Sequence, residues 1–440
     1  MNRTNHLNPI ALTLLALASA SASCSQPPGD PEGLGSPVPS VARVAVSPVS
    51  TSTAQAAPSR AAADEDDLTV PTESFSDPQK NFDEVRKALL AGYYDPSITE
   101  DALYRAAVAG MLERVDPSMR KWNKLLSPGD LAELHRDLQG EVVGVGVKIS
   151  FDPSTGYVDV LGAISGSPAD QAGLAPPDKI VTIDGKLYKG LVLRDVVGDI
   201  RGKAGETVTL SVLRGDKLVN VPLVRERVKY DIVTELVVDG DVGYVRIPSF
   251  NAKTPDALGA ALADLRAKKV RGVVLDLRGC PGGSFDDAVA SASELLPAGT
   301  TVVRLKKRSA TEVITTKREP VLTDVPLAVL VDHGTSSGAE LVAAALEEQA
   351  HAIVVGERTF GKWTVQTVED LPNGYAIKYT LALFQSPSGK SWEGVGLTPT
   401  VEVDMPDAAI ERALAITDAA RRFEGDVQLR TAAALLAHKH

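Results

Sequence analysis

The sequence has no basic cluster, no apolar run of membrane-spanning length and almost no cysteine, and each lack excludes a class of protein. Acidic residues outnumber basic ones, so the 440-residue chain carries a formal net charge of −11. Nucleic acid and anionic membrane surfaces are therefore poor partners. The apolar run at residues 10–22 is too short to span a bilayer. Two cysteines, Cys24 and Cys280, do not make a disulfide framework.

Residues 1–23 are predicted to be a bacterial export signal. Arg3 precedes the apolar run, which has the length of a signal-peptide core. The run ends in "SASC", which resembles the end of a lipoprotein signal and predicts lipidation of Cys24. The alternative is ordinary cleavage after Ala20 or Ala22, because each ends an A-x-A pattern. Either outcome predicts an exported protein of the cell envelope, periplasmic or held at a membrane by its lipid.

Two further segments precede the part of the chain that carries chemistry. Residues 24–80 are rich in Pro, Ser, Ala and Gly without apolar periodicity, which predicts a disordered tether. Residues 81–139 show helical spacing of apolar residues, with Thr99 as an N-cap and a further helix at about 128–138. This N-terminal helical segment has no evident chemistry of its own.

Residues 140–228 are predicted to form a small β-rich module. Short alternating strands are separated by Gly, Pro and Asp turns, and one helix is expected at about 190–200. The stretches "GSPADQAGLAPPDKIVTIDGK" and "GVGV" resemble a PDZ domain, and "GVGV" resembles its carboxylate-binding loop. Backbone N–H groups of such a loop can face a peptide's terminal carboxylate, and the next strand offers an edge for strand addition. The predicted peptide-binding residues are Gly144, Val145, Gly146 and Val147.

Residues 229–404 alternate strands and helices, and residues 405–440 are predicted to be a helical tail. The apolar runs "RGVVLDL", "PLAVLVD" and "AIVVGE" each precede a loop, and helices separate the three runs. This pattern predicts parallel strands with crossover helices. Loops at the carboxyl ends of parallel strands share one edge of the sheet, where sites are usually built. The residues expected to meet at this edge are Gly282, Gly283, Ser336, Ser337 and Lys362.

The stretch "GTSSGAE", residues 334–340, offers two serines. Ser336 centres a G-x-S-x-G pattern, as in an esterase of the α/β-hydrolase type. That chemistry needs a histidine, but His351 lies away from the site edge. The other histidines later in the chain, His438 and His440, end it. His333 lacks an evident orienting partner. Ser337 with Glu340 also fits a capping box at a helix start, a structural role compatible with catalysis.

A Ser–Lys pair accounts for more of these residues. A lysine can act as general base when burial lowers its pKa towards neutrality. Gln366 lies four residues after Lys362, so on a strand both side chains point to the same face and the amide can orient the amine. The alternative for Lys362 is a solvated surface lysine.

These motifs resemble the carboxyl-terminal processing proteases over about residues 82–404. "GTSSGAE" is similar to the family pattern around its serine, "GERTFGKWTVQ" to the segment with its lysine and glutamine, and "LDLRGCPGG" to its oxyanion loop. The resemblance implies Ser337 as nucleophile, Lys362 as base and Gln366 as its partner. It also implies oxyanion-hole N–H groups from Gly338 and from Gly282 or Gly283.

The resemblance further implies a crotonase-like α/β core with parallel strands and crossover helices, an inserted PDZ domain and an N-terminal helical segment. No metal or cofactor is implied. The expected substrates are proteins or peptides with accessible C-termini, and self-association is left open.

Three departures from the family pattern leave a second interpretation open. Cys280 replaces an asparagine, Trp363 replaces a glycine, and Ser336 and Gly338 replace alanines. Trp363 could wall off the lysine from water or crowd the substrate cleft. A PDZ adaptor without catalytic activity is therefore the alternative to an active protease.

Overall fold

The structure is a computed structural model that describes residues 13–14, 74–119, 121–152, 155–188, 193–228, 230–322 and 325–437. Cys24, most of the predicted signal and tether, and the last two histidines lie outside the described residues. No described helix is both long and apolar enough to cross a membrane.

The first two helices lie in the segment that the sequence predicts to be helical. They are α1 (Pro78–Gly92) and α2 (Glu100–Arg114). The hydroxyl of Thr99 accepts the N–H of Ala102 at 3.2 Å, which is the N-cap role expected for it. Neither helix buries a residue, so apolar burial adds little to their stability.

A short strand, β2 (Lys124–Leu126), and helix α3 (Pro128–Leu138) come next. The side chain of Ser127 accepts the N–H of Asp130, whose carboxylate accepts the N–H of Ser127 in return. This capping box fixes the start of α3 at the place that the sequence indicates.

The PDZ-like segment is a five-stranded antiparallel sheet with one short extra strand. Its strand order is β4-β5-β6-β8-β9, and β7 pairs with β6. In β8 the buried residues alternate with exposed ones, because one face packs on the module's own core. The elements are β3 (Val142–Gly144), β4 (Val147–Asp152), β5 (Tyr157–Ala163), α4 (Pro168–Gln171), β6 (Lys179–Ile183), β7 (Lys186–Leu187), α5 (Leu193–Ile200), β8 (Thr207–Arg214), β9 (Lys217–Val224) and β10 (Glu226–Val228).

The larger segment that follows contains a six-stranded sheet of order β11-β12-β13-β16-β17-β20. All neighbouring pairs except β11–β12 are parallel, as the apolar runs predict. Both faces are covered, which explains why these strands are continuously apolar. Its strands are β11 (Thr234–Val238), β12 (Val242–Arg246), β13 (Gly272–Asp276), β16 (Leu327–Val331), β17 (Ile353–Gly356) and β20 (Val401–Glu402).

A second sheet departs from the parallel arrangement predicted for the core. Its strands β14 (Thr301–Lys306), β15 (Thr311–Thr315), β18 (Thr364–Asp370) and β19 (Ala376–Gln385) are all antiparallel to their neighbours. Strand β2 pairs with β19, and the two-residue strand β1 (Thr13–Leu14) pairs with β18. Their mixed apolar and polar composition gave no parallel signal, and the sequence prediction did not distinguish this sheet.

Three helices connect these strands, and one of them lies between the two sheets. They are α6 (Thr254–Ala267), α7 (Phe285–Ala292) and α8 (Gly338–Ala350). Helix α8 contacts β14 in one sheet and β16 and β17 in the other. Its first nine residues are all buried, as expected for a helix that is apolar on every side.

The C-terminal helices are α9 (Asp407–Ala415), α10 (Ala419–Gly425) and α11 (Val427–Ala437). Helices α10 and α11 pack on the face of the parallel sheet opposite α8, whereas α9 contacts β4 and β5 of the PDZ-like segment. Helix α11 buries Leu429 and Leu436 against that sheet. The segment predicted as a helical tail is therefore part of the core.

Candidate active site

Ser337 stands at a sharp turn between strand β16 and helix α8. Its backbone has φ 61° and ψ −120°, a strained conformation for a residue with a side chain. Its N–H donates to the Glu340 carboxylate at 2.8 Å, as in the capping interaction that the sequence indicates. The turn holds the hydroxyl at the carboxyl end of the parallel sheet.

Lys362 meets this serine from the loop before β18. Its Nζ lies 3.3 Å from Ser337 Oγ and 2.7 Å from Gln366 Oε1. The amide Nε2 of Gln366 donates to Thr364 Oγ1 at 2.9 Å, which fixes the orientation of the amide. The contact expected between the Gln366 amide and the Lys362 amine is therefore present, although Lys362 precedes β18 and is not part of a strand.

Burial makes the ammonium group of Lys362 give up its proton more easily than an ordinary lysine does. The side chains of Ser337, Lys362 and Gln366 are all 0% exposed. Burial is the main cause that lowers the pKa of Lys362 to about 7, and the positive charge of Lys378 adds to it. The carboxylates of Glu393 and Glu340 oppose this shift.

Trp122, and not Trp363, is the aromatic residue that faces the lysine. The Nζ of Lys362 lies 4.6 Å from the centroid of the Trp122 ring. Trp363 instead packs into the core, with ring centroids 4.7 Å from Phe384 and 4.7 Å from Trp392. Of the two roles that the sequence left open for Trp363, crowding of the substrate cleft is not supported, because the ring lies in the core. Sequence patterns did not indicate Trp122, because it lies in a turn before β2, far from Lys362 in the chain.

Glu340 joins the serine turn to the lysine loop, a role that its capping pattern did not reveal. Besides Ser337 N–H, its carboxylate accepts the Thr359 hydroxyl, Gly361 N–H at 2.8 Å and Lys362 N–H at 2.9 Å. The indole N–H of Trp363 donates to it at 3.2 Å, which accounts for a tryptophan at this position. Burial raises the pKa of Glu340, and these hydrogen bonds oppose the rise.

The predicted glycine loop lies directly against the serine. A Cβ on Gly282 would lie 2.8 Å from Gly338 N, and one on Gly283 would lie 2.0 Å from the Phe250 carbonyl oxygen. Only glycine fits either position. In the described part of the chain, the N–H groups of Gly283 and Gly338 have no backbone acceptor. They are free to bind an oxygen next to Ser337.

Cys280 is fully buried under this loop. Burial raises the pKa of its thiol to about 12, and a hydrogen bond from Gly282 N–H to the sulfur opposes the rise. The thiol is therefore protonated and unreactive at neutral pH. The N–H of Gly282 is used in this contact, which leaves Gly283 as the better placed of the two predicted donors.

The residues of the esterase alternative are occupied elsewhere. Ser336 Oγ donates to the Pro281 carbonyl at 2.9 Å and so supports the glycine loop. His333 lies beside Asp407 and Glu357, and its hydrogen bond to Asp407 is the main cause that raises its pKa to about 9. His351 ends helix α8 in a left-handed conformation.

An arginine buried beneath the glycine loop was missed by the sequence analysis. Arg278 is 0% exposed and donates to Asp276, Asp426 and Gln428. Two of its hydrogen bonds reach Asp426, at 3.0 and 2.6 Å. The bidentate pair connects the start of the glycine loop with the helix that begins at Val427.

Comparison with protein-family models matches residues 241–403 to "Peptidase family S41" and residues 145–223 to "PDZ domain". The carboxy-terminal processing protease CtpA of Bacillus subtilis (strain 168) is 30% identical over 341 residues, which cover 76% of this chain and 72% of that protein. The chain belongs to peptidase family S41.

Two further comparisons agree with membership in S41. A probable CtpA-like serine protease of Staphylococcus aureus (strain bovine RF122 / ET3-1) is 34% identical over 325 residues, or 73% of this chain. The chain spans 64% of that relative's length, slightly less than two thirds. A putative S41 protease from Bacteroides fragilis NCTC 9343 has a TM-score of 0.55 at 19% identity, covering 84% of this chain and 99% of that one. This structure supports the fold alone.

The PDZ domain of this S41 chain places its "GVGV" stretch at the start of an edge strand. Gly146 has φ 74°, and a Cβ there would lie 2.3 Å from the Ser167 Cβ, so glycine is required. Val147 begins β4, which pairs only with β5 in the described sheet. Gly144 differs from the expected loop position, because it lies in β3 opposite Glu226.

The pH dependence of hydrolysis should report the burial of Lys362. Since the amine must be neutral to accept a proton, kcat/KM should rise with pH to a plateau, with its midpoint near the pKa of about 7. Trp122→Ala should move the midpoint to higher pH, because water then reaches the amine. Trp122→Phe keeps a ring there and should behave like the wild type. A wild-type midpoint near 10.5, the ordinary lysine value, would contradict the buried base.

Proposed function

We propose that this S41 chain is an exported serine endopeptidase that captures protein C-termini through its PDZ domain and hydrolyses peptide bonds near them. The observation that carries the proposal is the 3.3 Å separation of Lys362 Nζ and Ser337 Oγ, together with a lysine pKa lowered to about 7. A buried, neutral amine beside a serine hydroxyl is suited to general-base activation of that serine.

In the proposed reaction, the Ser337 hydroxyl proton passes to the neutral Lys362 amine while Oγ attacks the scissile carbonyl carbon. The oxyanion that forms is bound by the N–H groups of Gly338 and Gly283. Lys362 then returns the proton to the leaving amine, which leaves an acyl-enzyme. A water molecule then gives a proton to Lys362 and attacks the acyl carbon. The ester bond to Ser337 Oγ breaks, Lys362 returns the proton to Oγ, and the new C-terminus is released. Gln366 holds the lysine amine throughout, and no metal or cofactor takes part.

The PDZ domain is proposed to hold the substrate's C-terminus. A peptide would add to the edge of β4 that pairs with no described strand, with its terminal carboxylate at the backbone of Val145, Gly146 and Val147. Gly144 contributes less, since it already pairs with β10. Substrates of this kind are proteins or peptides with accessible C-termini.

The finer features of the fold and location are also part of the proposal. The two-sheet core with α8 between its sheets is proposed to be crotonase-like, with the PDZ domain inserted at about residues 140–228. Residues 1–23 are proposed to direct export to the cell envelope, with Cys24 as the site of lipid attachment. The absence of basic clusters fits a membrane attachment through lipid and not through charge.

The alternative of a non-catalytic PDZ adaptor receives less support. That alternative rested on Trp363, whose ring lies in the core and whose indole N–H donates to Glu340. The tryptophan therefore stabilises the lysine loop instead of crowding the cleft. The esterase alternative loses support because Ser336 Oγ donates to Pro281.

The experiment that tests the proposal uses one unstructured peptide with a free or an amidated C-terminus, in the presence of a chelator. Mass spectrometry should find internal cleavage near the C-terminus of both peptides. Amidation should lower kcat/KM by about 10-fold or more, because charge-assisted hydrogen bonds of about 1.5–3 kcal/mol are lost.

The control for the PDZ contribution is Gly146→Ala, which closes the loop and should abolish the difference between acid and amide. If neither peptide is cleaved, the proposed endopeptidase activity is refuted. Cleavage at equal rates would refute capture of the terminal carboxylate by the PDZ domain.

A further inference from the structure

Lys378 is a buried cation whose side chain has no ion-pair or hydrogen-bond partner among the described residues. Its side chain, on β19, is 8% exposed. It makes no ion pair or hydrogen bond with any residue that the structure describes. Buried charges in proteins are normally paired, because removing an ammonium from water is costly. An unpaired one is therefore a candidate binding group for an anion.

A second lysine lies opposite the first. In the antiparallel pairing of β2 with β19, Lys124 faces Lys378 directly. Like charges at such a position are destabilising. Lys124 is exposed and has only a weak electrostatic effect on Asp130, which is already hydrogen bonded to Ser127. The two lysines therefore form a concentrated positive charge, and neither makes an ion pair with a residue that the structure describes.

This pair lies on the same sheet face as the catalytic residues. Gln366 is opposite Thr380 in the β18–β19 pairing, and its amide lies 3.5 Å from the Thr380 hydroxyl. Lys378 is two residues from Thr380, so its side chain points to that same face, roughly 7 Å further along the strand. The positive charge of Lys378 is also felt at Lys362. One or two residues of an extended peptide would bridge that distance.

We propose that Lys378 and Lys124 form a subsite that binds a carboxylate of the peptide substrate close to the scissile bond. The subsite rests on the proposed endopeptidase activity and adds a specificity to it. The carboxylate belongs either to an acidic side chain or to the substrate's own C-terminus. Lys378 binds it from the buried side and Lys124 from the solvent side. Lys121 is not part of the subsite, because its Nζ lies 4.7 Å from the Trp122 ring centroid.

The charge required for this role is present at neutral pH. Burial lowers the pKa of Lys378 to about 8, and the neighbouring Lys124 contributes to the shift. The amine is thus mostly protonated at pH 7, and a bound carboxylate would favour the protonated form further. A lysine that served only to lower the pKa of Lys362 would not need a second lysine opposite it.

The test compares peptides that differ in a single charge. Glu and Gln are exchanged at each of the three positions on either side of the cleaved bond, and a separate short pair has a free or amidated C-terminus. Wild type should favour the charged member of one pair by about 10- to 100-fold in kcat/KM, the value of a charge-assisted hydrogen bond. Lys378→Met should remove that preference. Lys306→Met, an exposed lysine on β14 of the same sheet, should keep it.

The position of the effect distinguishes the two sources of carboxylate. A preference for Glu at one position identifies a side chain. A preference for the free C-terminus that is lost in Lys378→Met identifies the terminal carboxylate as the ligand of this subsite. The part of that preference due to the PDZ domain should persist in Lys378→Met and be lost in Gly146→Ala.

The same peptide pairs are titrated by calorimetry into Ser337→Ala and into Ser337→Ala with Lys378→Met. A charge preference present in the first protein and absent in the second supports the subsite even if hydrolysis is never observed. Equal charge preferences in both proteins, or none in either, overturn the subsite while leaving the endopeptidase intact. The same conclusion follows if Lys378→Met only moves the midpoint of the pH–rate profile.

Discussion

The single variants Ser337→Ala and Lys362→Met should each lower kcat for peptide hydrolysis by about 10⁴-fold or more, because nucleophile and base act as one unit. Neither variant should unfold. Methionine has a similar volume to lysine and removes a buried amine, which is often neutral or stabilising. Circular dichroism during heating would show an unchanged or higher midpoint for Lys362→Met.

Lys362→Arg is the variant that separates proton transfer from charge. An arginine retains hydrogen-bond donors and a positive charge but cannot be deprotonated in proteins. It should therefore be as inactive as methionine. If Lys362→Arg retained substantial activity, the residue would act as a fixed cation and not as a base.

Two neighbouring residues serve as controls for this result. Ser336→Ala loses only a hydrogen bond to Pro281 and should retain most of its activity. His333→Ala should also remain active, because the ring lies beside Asp407 and Glu357. Loss of activity in Ser336→Ala with an active Ser337→Ala would assign the nucleophile to Ser336.

Glu340→Gln should have the next largest effect. Hydrogen-bond donors from the serine turn, the lysine loop and Trp363 converge on the carboxylate. The side-chain amide of glutamine would place its own N–H donor against these N–H donors, so at least one hydrogen bond is lost. We therefore expect a decrease of about 3 kcal/mol in the free energy of unfolding. Misplacement of Ser337 relative to Lys362 by about 1 Å should lower kcat by about 10²-fold.

The pH profile distinguishes positioning from general destabilisation in this variant. The negative charge of Glu340 raises the pKa of Lys362, so its neutralisation should move the midpoint of the profile to lower pH. The matched control is Glu347→Gln on the same helix, whose carboxylate accepts the Thr400 hydroxyl at 2.9 Å near the surface. Its stability should change by no more than about 0.5 kcal/mol. An unmoved midpoint in Glu340→Gln would limit this residue to a structural role.

The sequence predicted the parts of the site that depend on local patterns. Continuous apolar runs indicated parallel strands, and parallel strands bring their following loops to one edge, so Ser337 and the glycine loop could be placed together. The spacing of Lys362 and Gln366 predicted their contact, although Lys362 lies in the loop before β18 and only Gln366 is on the strand. These inferences needed only the periodicity of strands and the rules of chain connection.

What could not be predicted depends on contacts between distant parts of the chain. Trp122 reaches Lys362 because β2 adds to a sheet whose antiparallel character the sequence prediction did not distinguish. The carboxylate of Glu340 had an adequate local explanation as a helix cap, which concealed its contacts with Gly361 and Lys362. Periodicity carries no information on such pairs, since it reports only which face of an element is buried.

The pairing of Arg278 with Asp426 has a consequence for the order in which the working protein is made. These residues are 148 positions apart, and Gln428 lies two residues further still. A ribosome synthesises Arg278 and the glycine loop long before it reaches their supports, and domains fold from the N-terminal side as they emerge. Until Asp426 arrives, a buried guanidinium under the loop lacks one of its two carboxylates. The nascent chain therefore acquires a supported glycine loop only when the helix Val427–Ala437 docks, so synthesis of the loop and its support are separate events.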